Sequence, residues 1–182
     1  MVSFSGNFVS EIIKCVNFAA IKHKDQRRKD SDQTPYINHP VGVAYILTHE
    51  AGVDDPAVIQ AAILHDVIED TETTYEELLA NFGEEVTEIV RECTDDKSLD
   101  KMERKRLQIE RAKGSSTKAK LVKLADKLYN LRDLDRCTPV GWTKQRVDEY
   151  FIWAHKVVTN LSGTNKNMED SLAQIFREHN VI

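Results

Sequence analysis

Apolar residues recur along most of this chain at intervals of three and four positions, which is the period of an amphipathic α-helix. In the first predicted helix, over about residues 8–24, Phe8, Ile12 and Val16 share one stripe. No segment alternates apolar and polar residues with the period of two that indicates a β-strand. The pattern predicts an all-α fold, and we expect a single compact multi-helix bundle over residues 1–182.

Capping signals divide the pattern into helices. Asn38 is expected to cap a second helix, Asp55 a third with a proline at its first position, and Thr74 a fourth through a capping box with Glu77. Gly83 is expected to end that fourth helix. The later helices are predicted at about residues 84–93, 101–113, 116–134, 143–161 and 168–178.

Composition narrows the class of protein. The chain has 182 residues, 41% of them hydrophobic and 30% charged, and its net charge of −5 does not favour nucleic-acid binding. The longest apolar run, Val41–Leu47, has seven residues, far fewer than the roughly 20 that a membrane helix needs. The three cysteines form no Cys-x-x-Cys pair, so we expect reduced thiols and a cytoplasmic protein.

One predicted helix carries an unusual polar cluster. The stretch AAILHDVIEDT, residues 61–71, begins apolar and then gathers His65, Asp66, Glu69 and Asp70 within six positions. On a helix that turns about 100° per residue, the four share little more than a third of the circumference. Carboxylates at a helix C-terminus oppose the helix dipole, and burying them unpaired is costly. The cluster is therefore either a solvated acidic turn or the lining of a pocket that holds a cation.

Two further segments supply the same residue types. His39 lies in YINHP at the start of another predicted helix, and Asp126 lies in KLVKLADKLYNLRDL. On that last helix Asp126 shares a face with Lys123 and Asn130, opposite a stripe of leucines. Taken alone, His39 reads as a capping or core histidine and Asp126 as a surface acid.

Taken together, the order His, His-Asp, Asp resembles the HD superfamily of helical metal-dependent phosphohydrolases. The segments RRKDSDQTPYINHP, ILHDVIEDT and LVKLADKLYNLR are similar to the hydrolase domain of the RelA/SpoT family, which degrades (p)ppGpp. The similarity extends over roughly Phe8–Phe176. Long bacterial members also carry synthetase and regulatory domains, for which 182 residues leave no room, so the chain resembles the small stand-alone hydrolases of that family.

The resemblance implies a metal site and a reaction. The implied metal ligands are His39, His65, Asp66 and Asp126. Two imidazoles and two carboxylates suit Mn²⁺, the family's usual metal, with Fe²⁺ or Zn²⁺ as alternatives. Glu69 and Asp70 are then expected to orient the attacking water and take its proton. The water attacks the 3′-pyrophosphate of the ribose, which yields GDP or GTP and pyrophosphate.

A further set of residues is expected to contact the substrate. These candidates are Arg28, Lys29, Lys101, Asn130, Trp142, Arg146 and Tyr150. Arg28 and Lys29 match the family's pattern before PYINHP, and an aromatic-plus-arginine helix face can stack on a base. The alternatives are a solvated basic loop, a helix-surface amide and plain core packing.

Three functions remain open at this point. The first is (p)ppGpp hydrolysis, and the second is a phosphatase acting on the 2′-phosphate of NADPH or on a related nucleotide. The third is a non-catalytic nucleotide-binding module, which is disfavoured because all six ligand and acid positions are present. In each case the partner is a small-molecule nucleotide, with neither nucleic acid nor membrane, and the sequence gives no oligomeric state.

Overall fold

The computed structural model describes residues 5–182, and side chains from Phe8 onward. Within that range the chain is helical, with an isolated bridge between Arg27 and Pro35 and no β-strand, so the all-α prediction is confirmed. The helices are α1 (Ser5–Lys22), α2 (Asn38–Tyr45), α3 (Pro56–Leu64), α4 (Val67–Asp70), α5 (Tyr75–Cys93), α6 (Lys101–Ala112), α7 (Thr117–Arg136), α8 (Lys144–Thr159) and α9 (Lys166–Glu178). None of these helices is long and apolar enough to cross a bilayer.

Two predicted caps form as expected, one of them only in part. The Asp55 carboxylate accepts hydrogen bonds from the backbone N–H groups of Ala57 and Val58, at 2.9 and 3.4 Å. The Thr74 hydroxyl accepts from the N–H of Glu77 at 3.2 Å. The Glu77 carboxylate instead binds Lys22 of α1 at 2.8 Å, so this contact between helices replaces the return half of the capping box.

Two helix boundaries differ from the sequence-based expectation. Asn38 is the first residue of α2 and not its cap; Ile37 takes the cap position without a side-chain hydrogen bond. Beyond α2 the chain continues through a π-helical turn, Ile46–Glu50, before it leaves the helix. Gly83, with φ of +80°, divides α5 into the two arms that the sequence predicts as separate helices.

The expectation of one continuous helix through the polar cluster is wrong. Helix α3 ends at Leu64, His65 and Asp66 form a turn, and the chain resumes as the single-turn helix α4. Asp66 has φ −99° and ψ −5°, outside the α-helical centre. The helical wheel therefore does not give the directions of the acidic side chains.

The buried apolar residues form one cluster, with α3 and α7 at its centre. Leu124, Leu128 and Leu131 of α7 are fully buried, which confirms the leucine stripe. Helix α2 packs closely on α7 because position 42 is glycine: a Cβ on Gly42 would lie 2.0 Å from the ring of Tyr129. This close approach brings the start of α2 against the opposite, polar face of α7.

Candidate active site

Four side chains converge where α2, the α3–α4 turn and α7 meet. We call His39, His65, Asp66 and Asp126, the four predicted metal ligands, the metal-ligand cluster. His39 Nε2 lies 3.3 Å from His65 Nε2, 3.2 Å from Asp126 Oδ1 and 3.4 Å from Asp66 Oδ2. His65 Nε2 lies 3.1 Å from Asp66 Oδ2 and 3.6 Å from Asp126 Oδ1. Such separations match ligands of one ion with bonds of about 2.0–2.2 Å.

The hydrogen bonds of the cluster suit a cation. The Nδ1–H of His65 donates to the carbonyl oxygen of Ala62 at 2.8 Å, so in the neutral ring Nε2 presents its lone pair to the site. That lone pair faces the other imidazole and two carboxylates, an arrangement that needs a proton or a metal ion among them. The donor atoms of His39, His65 and Asp126 all lie within 4.8 Å of one another, and the residues present fit a divalent ion.

The charged groups of the cluster shift one another's pKa values. Burial opposes the charging of His65, but the carboxylates of Asp66 and Asp126 outweigh it and hold the pKa of that imidazole well above its usual value. Burial also opposes ionisation of the two carboxylates, yet the cations around them hold the pKa of each well below its usual range. The site therefore favours positive charge at its centre.

Three further side chains orient the carboxylates. The Tyr36 hydroxyl donates to Asp66 Oδ2 at 2.7 Å. Lys127 Nζ donates to Asp126 Oδ2 at 2.8 Å, and Asn130 Nδ2 donates to Asp126 Oδ1 at 2.7 Å. The sequence-based set does not include Tyr36 or Lys127. Only their positions in the sequence could have indicated them: Tyr36 precedes His39 by three residues, and Lys127, which is buried in the structure, follows Asp126 directly.

We call Glu69 and Asp70, the two acids expected to act on the attacking water, the acid pair. Glu69 lines the same cavity as the metal-ligand cluster. Its Oε2 accepts a hydrogen bond from the backbone N–H of Asp95 at 3.1 Å, and Arg104 Nη1 lies 3.6 Å from its Oε1. Burial raises the pKa of Glu69 to about 7. A carboxyl group with a pKa near neutrality can exchange a proton during a reaction at that pH.

Asp70, the second member of the acid pair, points elsewhere. Its Oδ1 accepts from Lys97 Nζ at 2.6 Å, and its Oδ2 accepts from Gln26 Nε2 at 2.8 Å. Asp70 contributes to the second cavity described below, whereas Glu69 contributes to the first. The two adjacent acids therefore serve different walls of the site.

Two cavities meet at the cluster. The first, of about 550 Å³, contains all four metal-ligand residues and Glu69, and it extends towards the end of α5 and the α6–α7 loop. The second, of about 690 Å³, is lined by Asp70 and by basic and aromatic side chains. Tyr36, Asn130 and Tyr150 line both cavities. The first two of these residues bind metal-ligand carboxylates, so the cluster lies at the junction.

The predicted substrate residues divide between the second cavity and the surface. Arg28, Lys29 and Trp142 line the second cavity. Arg28 is already bonded to Asp133 at 2.6 Å and to the Asn130 amide oxygen at 2.9 Å, so it is a half-buried bridge rather than a free cation.

Two predicted substrate residues line neither cavity. Arg146 stacks on Trp142, with 4.1 Å from guanidinium carbon to ring centre, and Lys101 is exposed at the start of α6. A role for these two side chains in substrate binding stays a prediction from the sequence.

A family profile described as the HD domain matches residues 15–155, and the chain belongs to the HD-domain family. It is 62% identical over 170 residues to the guanosine-3′,5′-bis(diphosphate) 3′-pyrophosphohydrolase MESH1 of Xenopus tropicalis, across 93% of this chain and 95% of the relative. The protein of the same name from Homo sapiens is 58% identical over 173 residues, across 95% of this chain and 97% of the relative.

A solved structure gives the same result. It is described as a metazoan ortholog of SpoT that hydrolyzes ppGpp and plays a role in starvation responses. It matches this chain with a TM-score of 0.95 and 52% sequence identity, covering 100% of both chains. The resemblance to the RelA/SpoT hydrolases that the sequence motifs indicate is confirmed.

Proposed function

We propose that this protein is a divalent-metal-dependent hydrolase that removes the 3′-pyrophosphate of (p)ppGpp. One observation carries the proposal: the Nε2 atoms of His39 and His65 each lie 3.1–3.6 Å from an oxygen of Asp66 and from an oxygen of Asp126, in a cavity beside Glu69. Relatives about 60% identical to the chain bear the name of that activity. A non-catalytic binding module would not need this arrangement.

The cluster would hold the ion through two imidazole nitrogens and two carboxylates. Mn²⁺ is our choice because mixed nitrogen and oxygen donors without thiolates suit it, with Fe²⁺ and Zn²⁺ as alternatives. A bound divalent ion supplies a Lewis acid that makes water easier to deprotonate and neutralises charge on a phosphate. Tyr36, Lys127 and Asn130 hold the carboxylates in place.

The acid pair completes the chemistry. Glu69 lines the cavity of the cluster, and we assign it the proton of the attacking water; Asp70 orients that water from the other side. The water oxygen forms a bond to the phosphorus attached to the ribose 3′-oxygen, and the bond between that phosphorus and the 3′-oxygen breaks. The 3′-oxygen takes up a proton, which leaves GDP or GTP and pyrophosphate.

The second cavity suits the nucleoside part of the substrate. It combines the exposed Lys29 with the aromatic rings of Trp142 and Tyr150, whose centres lie 5.9 Å apart. Aromatic faces and cations together favour a base and its phosphates. Arg28 and Asn130 connect this cavity to the cluster through their mutual hydrogen bond of 2.9 Å.

Product analysis tests the proposal. Purified protein with Mn²⁺ is incubated with ppGpp, and the products are separated by ion-exchange chromatography. We expect GDP and pyrophosphate in equal amounts, and no GDP from protein treated with a chelator. The same assay with NADPH reports phosphate release. Turnover of NADPH with intact ppGpp would overturn the proposed substrate and favour the phosphatase alternative.

The cellular location and the domain organisation of the protein stay predictions. Cys15, Cys93 and Cys137 are all free thiols, which agrees with the expected cytoplasmic location without testing it. The chain as one functional unit is likewise our expectation, supported by the single buried apolar cluster.

A further inference from the structure

The first cavity extends well beyond the metal-ligand cluster. Its far end is formed by the C-terminal residues of α5, by Gln108 and Arg111 of α6, by Ser115 in the following loop, and by Lys123 of α7. None of the substrate residues that the sequence predicts, apart from Asn130 and Tyr150 at the junction, reaches this end. The proposed reaction produces a second anionic product, pyrophosphate, which also needs a place in the site.

Two cations at the far end lack an acidic partner. Arg91 is paired with Glu88 at 3.2 Å, and Lys127 is paired with Asp126 at 2.8 Å. By contrast, within the described part of the chain no carboxylate oxygen lies within 4.0 Å of the side-chain nitrogens of Lys123 or Arg111. Lys123 Nζ donates only to the Ser115 hydroxyl, at 2.9 Å.

The acids of this wall are bonded elsewhere. Glu92 Oε2 accepts from the backbone N–H of Ser116 at 2.7 Å. Asp95 Oδ2 accepts from Gln108 Nε2 at 2.6 Å. Both carboxylates act on Lys123 through space and partly offset the effect of burial on its pKa, but neither is bonded to it, so Lys123 keeps donor capacity that the protein does not use.

Lys123 lies close enough to the metal-ligand cluster for one diphosphate group to reach both. Lys123 precedes Asp126 by three residues on α7, so their side chains leave the helix on one face, with Cβ atoms about 5–6 Å apart. A diphosphate whose first phosphate meets the cluster can therefore place its second phosphate towards Lys123. Burial lowers the pKa of Lys123, and an anion beside the ammonium group would offset that effect.

We propose that Lys123, with Ser115 and Arg111, forms a subsite for the terminal phosphate of the pyrophosphate group, on the side of the cluster opposite the nucleoside. This inference rests on the proposed function, since it assigns the second half of that substrate. It makes the metal-ligand cluster the boundary between two product sites. The nucleoside diphosphate leaves through the second cavity, and pyrophosphate leaves through the first.

Calorimetric titration of the Mn²⁺-loaded protein tests the subsite without any turnover. Pyrophosphate and GDP are titrated separately into wild type and Lys123→Met, with equal Mn²⁺ in cell and syringe. We expect Lys123→Met to weaken pyrophosphate binding by about 10-fold or more, as for loss of a charge-assisted hydrogen bond, and to leave GDP binding within about twofold. Lys120→Met, one turn earlier on α7 and outside both cavities, is the matched control.

Each other outcome is decisive. Unchanged pyrophosphate binding in Lys123→Met, equal weakening of both ligands, or no pyrophosphate binding to wild type would overturn the subsite. Thermal melting checks that Lys123→Met folds. If it does not fold, Arg111→Gln at an exposed position is used in its place, and we expect that variant to weaken the binding of pyrophosphate but not of GDP. Failure of the proposed function appears separately, as a wild-type protein that binds pyrophosphate but does not hydrolyse ppGpp.

Discussion

The metal-ligand cluster and the acid pair adjoin each other at the α3–α4 turn, where His65 and Asp66 precede Glu69 and Asp70, but they are built differently. The cluster draws on three elements, and its carboxylates accept hydrogen bonds from Tyr36, just before α2, and from Asn130 of α7, so the segments that supply its residues also orient them. Glu69 and Asp70 are adjacent in sequence but diverge into separate cavities. They are held by a segment that supplies no residue of the cluster, the α5–α6 loop, through Asp95 and Lys97.

We therefore expect substitutions in the two regions to have different effects. Changes in the cluster alter what the protein binds and how stable it is, because buried carboxylates and imidazoles there need a cation. Changes in the acid pair alter the rate alone, because each acid has protein donors whether or not an ion is present.

Removal of the metal should have the largest effect. We expect dialysis against EDTA to abolish ppGpp hydrolysis and added Mn²⁺ to restore it. The metal-free protein should also melt earlier, since a ligand at 100 times its Kd adds about 2.7 kcal/mol to the free energy of unfolding. Full activity in EDTA, with an unchanged melting temperature, would contradict the account of the cluster.

Neutralising either member of the acid pair should come next. Glu69→Gln and Asp70→Asn keep the shape of the side chain but remove the group that orients and deprotonates water. We expect kcat to fall by about 10²–10⁴ while KM stays near the wild-type value. Steady-state kinetics checks this, with the exposed neighbour Glu72→Gln as the control. A variant with wild-type kcat would remove that residue from the mechanism.

Removal of one orienting contact should have a smaller effect on metal binding. Tyr36→Phe deletes the hydrogen bond to Asp66 and keeps the ring. We expect the Kd for Mn²⁺ to rise about 10–100-fold, the usual cost of losing such a partner. Metal titration of the metal-free protein gives the value, and the exposed Tyr45→Phe should match wild type. Equal affinity in both variants would show that Tyr36 does not orient the ligand.

Substitutions in the second cavity should have the smallest effects, and the adjacent residues Arg28 and Lys29 should differ in theirs. Lys29→Ala is expected to raise KM by about 10-fold, as for loss of one charged hydrogen bond, without loss of stability. Arg28→Ala should raise KM and also lower the free energy of unfolding by about 1.5–3 kcal/mol, because Asp133 and Asn130 lose a donor. Kinetics and denaturant unfolding decide; equal stability of the two variants would contradict the bridging role of Arg28.

Sequence reasoning predicts most of the helices and the convergence of the four candidate ligands, because each rests on a local pattern; that these side chains bind a metal stays a prediction. Caps such as Asp55 and the leucine stripe of α7 are local, and the ligand residues stand in short motifs. The direction of the acid pair could not be predicted, because the break after Leu64 rotates the chain away from helical geometry. Lys97 of the α5–α6 loop and Arg104 of α6 reach the acids only through tertiary packing.

We propose that Asp66 holds the ion and Asp70 does not, although the two aspartates lie only four positions apart. Elemental analysis of wild type, Asp66→Asn and Asp70→Asn, dialysed side by side, tests it directly. We expect about one metal ion per chain in wild type and in Asp70→Asn, and much less in Asp66→Asn. If Asp70→Asn loses the metal as Asp66→Asn does, the acid pair belongs to the ligand set and the separation of the two regions is wrong.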